Sequence, residues 1–302
     1  MLSRGLVTEG RVETMMSETA SGRGYSQNWA MPFRSHVGRP FDLTLWSNRL
    51  LFTLVAGFGV AAVVTWANGA AIDLLWAPAH VFVTWALVRE LDPDHNLSAL
   101  LSGVVAGVWV LLGFPVVSAV AVGGFLLAAR LVLNSTGRRP LVTDLVFVGG
   151  YAAAFSLTRV GWVAGSGLAI AIYVDGRMAG ATDTAWMFTA GLAALGASLV
   201  ATAAGAFPTE VPDVQPFRVT LIGLVALIGI LRAPPDPTSR VDSRLKWRLS
   251  RDRLHAARSL IGVLVFASAL LSGGDVDGLM PLVAALIISF LAAEVEQLRR
   301  RR

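Results

Sequence analysis

Cysteine is missing from this chain, and lysine occurs once, at Lys246. The first absence removes disulfides, thiolate nucleophiles and cysteine-ligated metals together, without naming a compartment. Charge is scarce as well: 15% of the 302 residues are Asp, Glu, Lys or Arg, against about 25% in soluble domains. A chain so poor in charge lacks the polar surface to cover a water-exposed globule. Also missing are a phosphate-binding glycine loop, a His-Glu-x-x-His pair and a Gly-x-Ser-x-Gly elbow, which removes the common sequence signatures of nucleotide, zinc-protease and esterase chemistry.

What is present is apolar. Hydrophobic residues make up 55% of the chain, with mean hydropathy +0.63. They fall in blocks of roughly 17–23 residues, enough helix to cross a ~30 Å hydrocarbon core. The expectation is an all-α fold: a polytopic transmembrane helix bundle of about ten spans. The net charge of +5 and pI near 10.6 then read as cationic loops held on the cytoplasmic side rather than as a nucleic-acid surface.

Residues 1–40 are polar and carry no apolar run, and are expected to be a disordered cytoplasmic tail. Residues 41–302 are expected to form a single transmembrane domain, with spans near 50–67, 72–91, 97–112, 115–133, 140–157, 160–174, 184–206, 216–232, 256–272 and 277–295. Proline and glycine mark the breaks, in "ANGAA", "GFP", "NSTGRRP", "DGRMAGATD" and "FPTEVPDVQP". With both termini inside, all of the 25 Lys and Arg residues except Arg159 and Arg218 fall on the cytoplasmic side. A wrong span count would scramble that split. Two glycine pairs, Gly103/Gly107 and Gly161/Gly165, have the spacing that lets helices approach closely. The stretches 72–90 and 276–294 echo each other, each with an early Asp, an early Pro and a final Glu; duplication of a helical hairpin or ordinary helix-end chemistry would produce this.

Ionisable groups deep in a membrane are costly and mark function. Here the deepest is His80, two residues after Pro78. The rest gather at expected cytoplasmic helix ends: Glu90, Asp92, Asp94 and His95 in "RELDPDHN", Arg130 at the end of span four and Asp144 at the start of span five. These six are the candidate ligand-binding residues, with Arg130 and Asp144 expected to pair. Capping and turn roles compete with that reading, Asp94 or Asn96 being the expected cap of span three. Asp92, Asp94 and His95 are the alternative metal ligands, two carboxylates and an imidazole that begin a divalent site without completing it. The basic amphipathic loop at 233–255 repeats Val241, Leu245 and Leu249 every four residues beside basic side chains. An interfacial amphipathic helix is expected there, with Arg244, Lys246, Arg248 and Arg251 as lipid contacts.

The segments "LVRELDPDHNLSALLSG" and "ARLVLNSTGRRPLVTDLV" resemble an uncharacterised prokaryotic multipass family that joins a RELDPD turn to an Asn-x-Thr-Gly-Arg-x-Pro…Asp loop. The resemblance covers spans two to five and implies no activity. "DPDH" is also similar to the Asp-x-Asp-His element of membrane-bound metal-dependent hydrolases, whose Arg-Gly-x-Thr-His-Ser motif is missing here.

The expected function is an integral protein of the prokaryotic cytoplasmic membrane that binds lipid, with anionic headgroups at its cytoplasmic face, or a small anionic ligand. No cofactor and no nucleic acid are expected, and a homo-oligomer or a membrane-protein partner is compatible with the pattern. The alternatives are a secondary transporter of a small solute, which ten spans suit as two inverted halves of five, and a metal-dependent lipid-modifying enzyme.

Overall fold

The computed structural model describes residues 43–135, 142–156, 158–178, 184–204, 216–241 and 244–301. The expected tail at 1–40 lies outside them. Ten α-helices follow one another: α1 (Trp46–Ala67), α2 (Ala77–Leu91), α3 (Asn96–Leu111), α4 (Ala119–Leu133), α5 (Val142–Phe155), α6 (Arg159–Arg177), α7 (Thr184–Ala204), α8 (Pro216–Leu231), α9 (Arg251–Ser272) and α10 (Met280–Arg301). Short 3-10 segments, Ile72–Trp76 and Gly273–Leu279, lead into α2 and α10. The described residues are otherwise helical apart from one small antiparallel pair, β1 (Arg240–Val241) with β2 (Arg244–Arg248).

That pair overturns the amphipathic helix expected over the basic loop. Leu245 and Leu249 are four apart, a spacing that satisfies a period of two as well as one of 3.6. The intervening residues decide: Arg244, Lys246 and Arg248 alternate with Leu245, Trp247 and Leu249, the pattern of a strand. Pro234, Pro235 and Pro237 upstream remove the amides a helix would need.

Local chemistry explains the helix starts. Pro78 occupies the first turn of α2, where its missing amide costs nothing. Ser118 caps α4 by accepting from the Val120 amide, and Thr158 caps α6 by accepting from Gly161. The cap expected for α3 is not found. His95 occupies that position but its side chain makes no capping bond, Asn96 is already helical, and Asp94 points elsewhere. Arg251 and Asp252 open α9 earlier than expected, and α10 continues to Arg301, because solvated arginines extend a helix as readily as apolar residues do.

α4 lies at the centre, packed on α2, α6 and α9; α3 packs between α2 and α10, and α7 against α6 and α5. Phe125, Leu131 and Leu133 of α4 are fully buried, with Leu87, Leu168 and Ile261 of its neighbours. Gly103 lets α3 reach α2: a Cβ there would lie 2.9 Å from the Val81 carbonyl oxygen. Gly165 does the same between α6 and α5, with the Ala152 oxygen at 2.9 Å.

Long-range contacts show that successive helices alternate in direction. One end of the bundle, the charged end, joins Asn48 to Arg89, Glu90 to Arg130, Asp175 to Arg253 and Arg232 to Glu294. The far end joins Tyr151 to the Val120 carbonyl, Thr202 to that of Ser156, Arg218 to Asp277 and Val117 to Gly278. Each of these pairs links two ends that an up-and-down chain places together.

Among the described residues two helices are long and apolar enough to cross a membrane, Trp46–Ala67 and Arg251–Leu271, and five shorter ones are apolar. The echo between 72–90 and 276–294 is local. Each stretch is a 3-10 segment followed by a helix with proline at its second position. The hairpins built on them differ, since α1 packs on α2 whereas α9 has little contact with α10 among the described residues.

Candidate functional site

The charged end buries four carboxylates: Glu90, Asp92, Asp144 and Asp175 are each at most 5% exposed. A buried carboxylate is tolerated only with a partner, and the fold supplies arginines from distant helices. Glu90, in the last turn of α2, accepts from Arg130 Nε at 3.0 Å. Asp175, at the end of α6, pairs with Arg253 of α9, whose Nη1 also donates to the Val132 carbonyl at 2.8 Å. That second bond satisfies an orphan carbonyl at the end of α4.

Asp92 is the hub of the α2–α3 turn. His95 Nδ1 lies 2.6 Å from its Oδ1, the Ser98 hydroxyl donates to Oδ2 at 2.9 Å, and Arg258 Nη2 stands 3.8 Å away. Arg258 is 5% exposed and donates through Nε to the Leu91 carbonyl at 2.7 Å. It thus serves the C-terminus of α2 twice, by hydrogen bond and by charge.

Asp94 faces the other way. Its Oδ2 accepts from the Thr238 amide at 2.8 Å, and its Oδ1 accepts from the Ser239 amide at 2.9 Å and the Ser239 hydroxyl at 2.6 Å. Burial pushes its pKa up, but the bonds from Ser239 and Thr238 outweigh this and hold the carboxyl below its ordinary value. Arg251 fastens the same segment from α9, donating to the Pro234 carbonyl at 2.8 Å. The basic segment is therefore fixed to the bundle at both strand bases.

Of the expected site residues, the structure joins Glu90 with Arg130 and Asp92 with His95. Asp144 is buried in the first turn of α5. Arg130 pairs with Glu90, and α4 packs more closely on α2 than on α5. Asp92, Asp94 and His95 do not converge as metal ligands, since Asp94 is turned to residues 238–239. Among the described residues no three of His, Asp or Glu are placed to share a metal ion. Arg244, Lys246 and Arg248 lie on β2, and Arg251 opens α9.

Sequence reasoning missed Arg253, Arg258, Ser98 and Ser239. A signal existed for the arginines. The buried stripe of α9 through Leu260, Ile261 and Leu264 extends back through Ala257 and Leu254, and Arg253 and Arg258 fall on it. No protein-family model, curated protein or solved structure matches the chain.

Proposed function

We propose that this chain is an integral protein of the prokaryotic cytoplasmic membrane, with ten spans and both termini inside, whose charged end binds anionic lipid headgroups or a small anionic ligand. The observation that carries this reading is the division of the surface. The flanks are apolar: Phe217 is 80% exposed, Leu231 72% and Val146 69%, and α1 presents Phe52, Val60 and Trp66 outward. Soluble proteins rarely expose such patches. The basic residues, by contrast, collect at one end of the alternating helices. Arg159, which opens α6, and Arg218 stand at the other end, where Arg218 pairs with Asp277. The 3-10 segment plus α2 spans about 32 Å, from ~2.0 and 1.5 Å rises, so even a 15-residue helix becomes long enough to cross.

The transporter and enzyme alternatives gain no comparable support. Two halves of five would repeat the packing of α2 on α3 in α7 and α8, which make little contact among the described residues.

Reporter fusions test the topology: those after Arg139, Arg177 and Arg253 should read as cytoplasmic, and those near Asn68, Pro212 and Asp275 as external. Any of the six fusions reading on the opposite side would exclude ten spans with both termini inside. For ligand chemistry, phosphatidylglycerol should raise the thermal stability of the detergent-solubilised protein more than phosphatidylcholine does. The difference should shrink with salt, as screening within ~8 Å at physiological ionic strength requires.

A further inference from the structure

A long basic loop between membrane helices need only be retained on one side, and a flexible loop would suffice for that. This one is held. Three donors from residues 238–239 converge on the single carboxylate of Asp94, 144 residues earlier. The Ser239 hydroxyl also lies 3.0 Å from the Pro93 carbonyl. Pro234 and Pro237 are buried against the bundle, and the Leu249 amide donates to the Ser239 carbonyl at 3.1 Å, closing the base of the hairpin. Around that base Arg232, Arg248 and Arg251 are exposed, Arg232 beside Glu294 and Arg251 beside Asp236 at the surface. Strand β2 carries cationic residues at alternate positions, with a tryptophan between them, as an edge at headgroup depth would.

We propose that Asp94 is the positioning residue of a preformed docking surface, which presents the exposed cations of the 232–251 segment to the phosphates of the adjoining anionic leaflet. The proposal rests on the lipid-binding reading above and adds what fixes the surface in place. Preorganisation matters because ordering a loop at the moment of binding subtracts from affinity. Asp94 serves where asparagine would not. In Asp94→Asn one acceptor oxygen becomes an N–H, so whichever way the amide turns it meets a donor of residue 238 or 239.

The test is amide hydrogen exchange on the full-length protein in nanodiscs of phosphatidylcholine, alone or mixed with phosphatidylglycerol. In the wild type, amides at 238–241 and 244–249 should exchange slowly in both lipids, and more slowly with phosphatidylglycerol at low salt. Asp94→Asn should speed exchange there at least about tenfold in phosphatidylcholine, the range expected for losing a bond to a charged group. Ser239→Ala, a milder change at a half-buried loop position, should do the same to a lesser degree. Unchanged exchange in both variants overturns the latch. Faster exchange in the variants with no difference between the two lipids leaves the latch standing and overturns the lipid reading. Equal protection by inorganic phosphate assigns the surface to a soluble anion and overturns the leaflet as its partner.

Discussion

Arg258 and Leu91 are 167 residues apart in the chain and 2.7 Å apart in the fold, guanidinium Nε to backbone carbonyl. The bond ties the start of α9 to the end of α2, and the Asp92 carboxylate beside it gives the buried guanidinium its countercharge. Removing the cation would leave a buried carboxylate and an orphan carbonyl together. Arg258→Gln is therefore expected to destabilise the protein by about 3–5 kcal/mol, read as a drop in thermal stability in detergent. Arg258→Lys should recover only part of it, since an ammonium cannot serve carbonyl and carboxylate in the fork geometry.

Glu90 and Arg130 should behave as a coupled pair. Glu90→Gln and Arg130→Gln each take the partner of this pair away from a largely buried charge, at a cost of up to about 3–5 kcal/mol. The double variant should cost less than the sum of the two. A thermal-stability cycle on the four proteins decides it, and additive losses would rule out the pairing.

The Asp94 latch has a predictable acid limit. The folded carboxyl is held below its ordinary value, so its contribution is fully present above the unfolded value of about 3.9 and is lost as pH falls through the lower folded value. Exchange at residues 238–239, corrected for the intrinsic rate, should thus stay constant from pH 7 to 5. It should rise only below pH ~4. A rise near pH 6 would mean that another group holds the hairpin.

Two glycines with the same helical setting should respond oppositely. A Cβ at Gly103 meets the Val81 carbonyl oxygen at 2.9 Å and Trp85 Cβ at 3.3 Å, whereas one at Gly57 meets nothing within 4 Å. Gly103→Ala should cost about 1–3 kcal/mol by forcing α2 and α3 apart. Gly57→Ala should be neutral or stabilising by about 0.5–1 kcal/mol. Equal effects on the melting temperature would contradict this packing.

The helices were legible because their signals are local: apolar block length, and proline, glycine and Ser or Thr at the boundaries. The basic hairpin was not, because residues four apart fit helix and strand alike. Asp94 read as a cap because aspartate at a helix start usually caps, and nothing local reveals a partner 144 residues downstream. The pairing of Glu90 with Arg130 was not legible either, because it joins residues 40 apart and appears only once α2 lies beside α4. Arginines 253 and 258 were hidden by company: amid other cations they passed for loop charge, although the apolar stripe of α9 ran through both.

The separation between Asp92 and Arg258 also has a consequence in time. A ribosome adding ~5–20 residues per second needs on the order of 8–33 s to make the 166 residues from one to the other, a span set by their numbering. Throughout that interval α2 and α3 exist without the cation that neutralises their turn. The nascent α2–α3 hairpin must keep Asp92 in water, with His95 and Ser98 as its company, until α9 arrives. Final seating of the first helices is therefore an event late in biogenesis, and chains cut short before α9 should be the ones that quality-control proteases remove.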